Sequence, residues 1–353
     1  MHLYVRADAD GKIGTGHIMR CIALAQAWQD QGGKVTFISH CESDALRQRI
    51  IDEGFDFIAI DKSHPNPSDL GHTLEILKQL KTQNSKLKTW VILDGYHFTP
   101  EYQKSIRDKG YRLMVIDDMN HLPQYHADIL LNQNIHAPEL TYHCDEDTTM
   151  LMGTQYVLLR REFLKYRNFT RQIPVQARNI LVTLGGADPD NVTIKVIEAL
   201  MLLEEPDISV KILVGPANPH QKTLRKAIGI AHFKTELLIK PPNMPELMAW
   251  ADLAISAGGS TCWELAFMGV PSLTVVIAEN QRDVAKGLER AEIFKTVGLY
   301  KAMNDDILVT RLSALVRDKK QREKKSRLGR QLIDGKGAKN IVHALSEQFA
   351  MKH

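Results

Sequence analysis

Four cysteines in 353 residues, none in a C-x-x-C pair, give no basis for a disulfide framework or a thiolate metal centre. Cys21, Cys41, Cys144 and Cys262 are expected to be small buried residues in a reducing compartment. Long hydrophobic runs are also missing. The longest mainly apolar stretch, near 270–278, falls far short of the ~18–20 residues that a membrane-crossing helix needs. The first residues, Met1-His2-Leu3-Tyr4-Val5-Arg6, lack the basic segment and the ~7–15 apolar residues of a secretory signal. Neither charge sign is in excess: 45 Lys+Arg stand against 42 Asp+Glu, a balance of +3. Nothing in that balance calls for nucleic acid or an anionic membrane as the main partner. No H-E-x-x-H motif, Walker A loop, low-complexity tract or repeat at 20–50-residue spacing occurs. These absences predict a cytoplasmic protein with no nucleic-acid partner and no membrane insertion. A monomer is compatible with them, and the oligomeric state stays open.

What is present is ordinary globular composition, 44% hydrophobic and 25% charged. At roughly 100–200 residues per domain, the length suggests two or three domains. Short apolar, β-branched runs recur at 3–7, 35–39, 57–60, 90–93, 113–116 and 129–131. The rhythm repeats at 180–184, 210–214, 237–239, 253–256, 273–277 and 297–300, with helical periodicity between. Runs that are continuous rather than alternating suit parallel strands buried on both faces, and strand–helix alternation argues for an α/β fold. About twelve strands are too many for one typical open sheet and divide naturally into two of about six. The break is placed in the charged, aromatic segment 160–176. The expected layout is a first domain at 1–165, a second at 166–325 and a helical tail at 326–353. The run 319–325 holds five basic residues and is expected to be a solvated helix face.

Glycine turns stand where strands end. The first strand runs into Gly14-x-Gly16-His17 and then into a helix carrying Arg20. Such turns let backbone approach a ligand, and the N–H groups opening the helix favour anions or polar atoms. The dinucleotide fingerprint fails, because Met19 stands at its third glycine and Ser39-His40 where an acid is expected. His17 sits at the strand's carboxyl end, where the helix dipole favours a neutral imidazole available as a base. Alternatively it only satisfies local backbone groups. In the second half, Gly185-Gly186 follows one strand and Gly258-Gly259-Ser260-Thr261 another, a turn suited to cradling a diphosphate. Thr261-x-x-Glu264 matches a capping box, so Glu264 reads equally as a cap and as a ligand contact. A polar cluster, Asn280-Gln281-Arg282, leaves a further strand. Two sheets with such turns at their strand ends suggest a cleft between domains.

Taken together, these residues resemble GT-B nucleotide-sugar enzymes. They are most similar to the hydrolase family of the pseudaminic-acid pathway, which removes UDP from UDP-2,4-diacetamido-2,4,6-trideoxy-β-L-altropyranose. The resemblance rests on Arg6-x-Asp8, Ile13-Gly14-x-Gly16-His17-x-x-Arg20, Leu93-Asp94-Gly95-Tyr96, Ile116-Asp117-Asp118 and Asp128-Ile129-Leu130-Leu131-Asn132-Gln133-Asn134. It continues in Gly185-Gly186, Glu264 and Asn280-Gln281, and spans nearly the whole chain in matching order. It implies a GT-B fold of two Rossmann-like domains with mainly parallel sheets and an interdomain cleft. It implies a hydrolase of a UDP-sugar in surface-glycan biosynthesis, with neither metal nor cofactor; water attacking opposite the UDP would invert the anomeric centre. His17 is then the catalytic base, with Tyr96 at the substrate beside Gly14, Gly16, Arg20, Asn280 and Gln281. Gly185, Gly186, Gly258, Gly259, Ser260, Thr261 and Glu264 would hold UDP. Tyr96 reads alternatively as an edge-of-core tyrosine. Asp94, Asp117 and Asp118 either orient His17 and the sugar or cap turns. The rival enzyme class is a GT-B glycosyltransferase that uses a UDP-amino sugar.

Overall fold

The structure is a computed structural model that describes the chain except residues 12, 84–87, 187, 204, 206, 216–217, 240–242 and 350–353, and the side chain at 83. Lys12 and Ala187, which belong to the first and second glycine turns of the sequence, lie outside the described residues. The chain divides into two compact units, Met1–Arg161 with Lys336–His353, and Glu162–Gly335. The segment expected as a separate tail is therefore shared between the units.

The first unit alternates β1 (His2–Ala7), α1 (Gly16–Gln29), β2 (Lys34–Ser39), α2 (Asp44–Asp52), β3 (Asp56–Ala59), α3 (Asp69–Gln83), β4 (Thr89–Asp94) and α4 (Pro100–Asp108). It continues through β5 (Arg112–Ile116), β6 (Ile129–Asn132) and β7 (Thr149–Met152). These form one sheet in the order β3-β2-β1-β4-β5-β6-β7, and every pairing is parallel. All of β1 is buried, as a continuous apolar run in a doubly covered sheet must be. Strand β7, sequence Thr-Met-Leu-Met, is the one that the apolar pattern does not announce. It lies at the sheet edge with Met150 exposed, so little apolar surface marks it.

The short α5 (Arg161–Leu164) opens at the end of the first unit. The second unit holds β8 (Asn179–Thr183), α6 (Val192–Met201), β9 (Ser209–Val214), α7 (Gln221–Gly229), β10 (Lys234–Ile239), α8 (Met244–Trp250) and β11 (Leu253–Ala257). It is completed by α9 (Thr261–Phe267), β12 (Ser272–Val276), α10 (Arg282–Arg290), β13 (Phe294–Leu299), α11 (Asp305–Arg317) and α12 (Lys319–Leu332). Its sheet runs β10-β9-β8-β11-β12-β13, again parallel throughout. The last helix, α13 (Gly337–Glu347), belongs to the first unit. Its Ile341, Val342 and Leu345 join the apolar cluster that contains Trp28 and Trp90.

The basic run at 319–325 is not wholly a solvated face. Arg322 is fully buried, donating to the Leu315 and Pro174 carbonyl oxygens at 2.6 and 2.7 Å, and so fastens α12 to the chain entering β8. Guanidinium N–H groups that cap otherwise unpaired carbonyls explain how a charge is tolerated there.

Candidate active site

In the first sheet the strand order reverses direction between β1 and β4, and such switch points open a crevice at the carboxyl ends of the strands. Four neighbouring strands deliver polar side chains to that edge. The turn after β1 leads into α1 through Gly14, whose φ of +76° favours glycine. Its N–H bonds the Asp10 carbonyl at 2.9 Å. Gly16 and His17 then open the helix, and a Cβ on Gly16 would meet nothing within 4 Å. Arg20 follows one turn later on the same face as His17. Asp94 ends β4, Asp117 and Asp118 follow β5, and Asn134 follows β6.

These side chains form one connected network. His17 Nδ1 lies 2.6 Å from Asp94 Oδ1. Arg20 grips both oxygens of Asp94, from Nε and Nη2 at 2.6 Å each, and both oxygens of Asp118 from Nη1 at 2.8 and 2.9 Å. Tyr96 donates its hydroxyl to Asp118 at 2.8 Å, and the Asn134 amide donates to the same carboxylate at 2.7 Å. The His17 and Tyr96 rings meet edge-to-face, centroids 5.0 Å apart. On its far side Tyr96 meets His121, which is itself 2.9 Å from Asp117. The bond to Asp117 raises the imidazole pKa of His121 despite burial. The structure thus gathers His17, Arg20 and Tyr96 around Asp94 and Asp118. The part played by Asn134 was carried in the sequence only by the run ending in it.

A second buried network flanks this one. Arg6 binds Asp8 and Asp69, with Nη2 2.9 Å from Asp69 Oδ2, and His97 Nε2 lies 3.3 Å from Asp8. His97 stacks on His64 at 4.7 Å. His64 and Asp69 come from the segment between β3 and the first turn of α3, and no spacing in the sequence links them to Arg6. Among the described residues no group of three or more His, Cys, Asp or Glu side chains is arranged to hold a metal ion.

Asp94, Asp118 and Asp8 are all held below the usual carboxylate range. Burial opposes ionisation in each and is outweighed by neighbours: Arg20 and His17 at Asp94, Arg20 at Asp118, His97 and Arg6 at Asp8. A depressed folded value means that the unfolded chain binds more protons near its own carboxylate value of about 3.9. The stabilisation is therefore complete above that pH and is lost as pH falls through the folded values. Urea midpoints measured from pH 6 to 2 are expected to hold roughly level to pH 5 and then fall steeply. A midpoint constant down to pH 2.5 would contradict this.

The second unit carries its own turns at strand ends. Gly185 follows β8 with a φ of +93°, and Gly186 accepts from the Gly215 N–H at 2.9 Å. Asp188, buried, caps α6 by accepting from Val192 and Thr193 N–H at 2.8 and 2.9 Å. After β11, Gly258 is pressed against Gln281, so that a Cβ there would meet the Gln281 Cβ and carbonyl oxygen at 3.0 Å. Gln281 Oε1 accepts from Gly258 N–H at 3.2 Å and from Ile277 N–H at 3.1 Å. One N–H of the expected cradle is thereby committed to the protein itself. Gly259, Ser260 and Thr261 are half-buried or exposed. The helix N-cap is Ser260, one residue before the Thr261 that the capping-box pattern requires, and it makes no side-chain capping bond. Glu264 lies in the first turn of α9, half-buried, and Asn280 lies in the turn preceding α10. No helix among the described residues is long and apolar enough to cross a membrane.

Residues 179–343 match the glycosyltransferase family 28 C-terminal domain. Over 98% of its length the chain superposes on all of MurG from Acinetobacter baumannii, with a TM-score of 0.68 at 16% identity. It superposes equally on the UDP co-structure of S. aureus MnaA, covering 99% of this chain and 97% of that one, with a TM-score of 0.69 at 14% identity. The fold is GT-B, as the resemblance implied.

Relatives by sequence are more specific. The UDP-2,4-diacetamido-2,4,6-trideoxy-β-L-altropyranose hydrolase of Campylobacter jejuni is 24% identical over 82% of this chain and 97% of its own length. The spore coat polysaccharide biosynthesis protein SpsG of Bacillus subtilis is 27% identical over 99% of both chains. An uncharacterised protein of Methanocaldococcus jannaschii is 28% identical over 80% of this chain, which spans only 57% of that relative's length.

Proposed function

We propose that this chain hydrolyses UDP-2,4-diacetamido-2,4,6-trideoxy-β-L-altropyranose, or a close stereoisomer, to UDP and the free sugar with inversion at the anomeric carbon. The observation that carries the reading is the His17–Asp94 pair at the carboxyl edge of the first sheet. Among the described residues, the other ring nitrogen, Nε2, has no hydrogen-bond partner, which suits a base facing a ligand atom. The Campylobacter jejuni relative supplies the substrate class by its name, and the Bacillus subtilis relative is consistent with a surface-glycan role.

In the proposed reaction a water oxygen bonds to the anomeric carbon while the bond from that carbon to the UDP oxygen breaks. The electron pair leaves with UDP, and the water's proton passes to His17 Nε2. UDP is a good leaving group, so no second protonating carboxylic acid is required. Donors around 259–261 would stabilise the departing diphosphate. Attack from the face opposite UDP gives the inverted sugar.

Incubation with the UDP-sugar and no acceptor, followed by NMR, is expected to show stoichiometric UDP and free sugar of inverted anomeric configuration. Turnover only with an added acceptor would overturn hydrolysis in favour of glycosyl transfer. Gly258→Val is expected to weaken UDP binding at least tenfold by calorimetry, because its side chain must displace Gln281 and the turn with it. Unchanged affinity would remove the 258–261 turn from the proposed UDP site.

A further inference from the structure

From the buried network beneath His17 we infer that Asp94, clamped by Arg20, is the positioning residue that fixes His17 in its Nδ1–H tautomer and so aims Nε2 at the attacking water. The role of Nε2 rests on the hydrolase reading; the tautomer assignment does not. Arg20, expected from sequence to touch substrate, is assigned instead to holding the base and Tyr96 in one frame.

Two contacts compete to set the His17 tautomer. Asp94 Oδ1 at 2.6 Å requires a hydrogen on Nδ1, because two lone pairs would otherwise face each other at that distance. Arg20 Nη2, at 3.3 Å from Nδ1, would instead require a lone pair there. The carboxylate contact is far shorter, and Arg20 Nη2 already donates to Asp94 Oδ1 at 2.6 Å. Nδ1 therefore carries the hydrogen, and in the neutral ring the lone pair lies on Nε2.

Asp94 cannot turn away from this task. It is fully buried, and its two oxygens are occupied by His17, by Arg20 and, at 3.4 Å, by the Cys21 thiol. Arg20 is equally fixed, since Nε, Nη1 and Nη2 all donate to carboxylates. A bidentate guanidinium gives geometric precision that a lysine ammonium lacks. Through Asp118 the same guanidinium fixes the Tyr96 hydroxyl. The charge count is informative as well. With His17 neutral, Arg20, Asp94 and Asp118 sum to one negative charge, and the proton that His17 accepts brings the group to neutrality. A buried network carrying one uncompensated negative charge favours that transfer electrostatically.

The test is Asp94→Asn. An asparagine can keep the packing but can donate to Nδ1 and so stabilise the other tautomer. With the UDP-sugar, kcat is expected to fall about 10²–10⁴-fold while KM stays within about threefold, the signature of an interaction made in the transition state. Nitrogen-15 histidine NMR, with His17 assigned by its loss in His17→Gln, is expected to show Nδ1–H in the wild type and Nε2–H in Asp94→Asn. A wild-type His17 found as Nε2–H overturns the inference, and so does an Asp94→Asn protein that is folded and retains more than a third of kcat. The wild-type spectrum decides the tautomer even if Asp94→Asn fails to fold. Wild-type protein that releases no UDP sinks the hydrolase reading, while the tautomer measurement still judges the pairing with Asp94.

Discussion

Replacement of His17 by alanine is expected to lower turnover of the UDP-sugar by about 10²–10⁴-fold and leave UDP affinity unchanged. The size follows from the role: a positioned base takes the proton as the water attacks, and the described titratable groups bonded into the same network, Asp94 and Tyr96, are already committed. Asp94 is held as the anion and saturated by Arg20, so it is poorly placed to act as base itself. Tyr96 donates its hydroxyl to Asp118. Affinity for UDP is expected to persist because the residues proposed to hold it belong to the second unit. UDP release by NMR and UDP binding by calorimetry check the two halves separately. Loss of binding together with turnover would mean that His17 holds the ligand rather than activating water. Activity within tenfold of wild type would remove it as the base.

A chain ended after Gly335 is expected to lose the folded first unit. Helix α13 returns to that unit, and its Ile341, Val342 and Leu345 are buried in the cluster that contains Trp28 and Trp90. Burying one such side chain contributes about 1.5–3 kcal/mol. Three of them approach the net stability of a whole domain, about 5–15 kcal/mol. The docking is also specific. Trp90 Nε1 donates to the Leu345 carbonyl at 3.1 Å, and a Cβ on Gly337 would stand 2.2 Å from the Val157 carbonyl oxygen. Removing the helix would therefore expose apolar surface and leave the buried Trp90 N–H without its acceptor. Thermal unfolding followed by tryptophan fluorescence is expected to lose the transition reported by Trp28 and Trp90. Ile341→Ala, a milder test, is expected to cost about 2–5 kcal/mol in urea. An unaltered melting profile in the shortened chain would show that α13 is dispensable.

Much of the fold was legible because its signals are local. Each continuous apolar run became a parallel strand, since a strand covered on both faces needs apolar residues at successive positions. Strand β7 escaped because an edge strand is released from that need. Glycines at strand ends marked the ligand-type turns, and Gly14, with its positive φ, shows why glycine stands in the first of them. The end of the chain was less legible. Helical periodicity announces a helical tail over 326–353 but carries no information about which sheet its apolar face will cover.

Local residue patterns specify the two-sheet α/β architecture and a histidine just past the first strand's end, because propensity, apolar periodicity and glycine act over a few residues. What that histidine is joined to depends on long-range packing. Asp94 lies 77 positions from His17, and Asp118 lies 98 positions from Arg20. These partners meet because parallel strands bring their carboxyl ends to one edge, and the order in which strands pair is a property of the whole sheet. The same holds for Gln281, whose amide oxygen secures a turn 23 residues away. Which polar groups are saturated by the protein and which remain for a ligand is thus settled by strand order and packing, not by spacing along the chain.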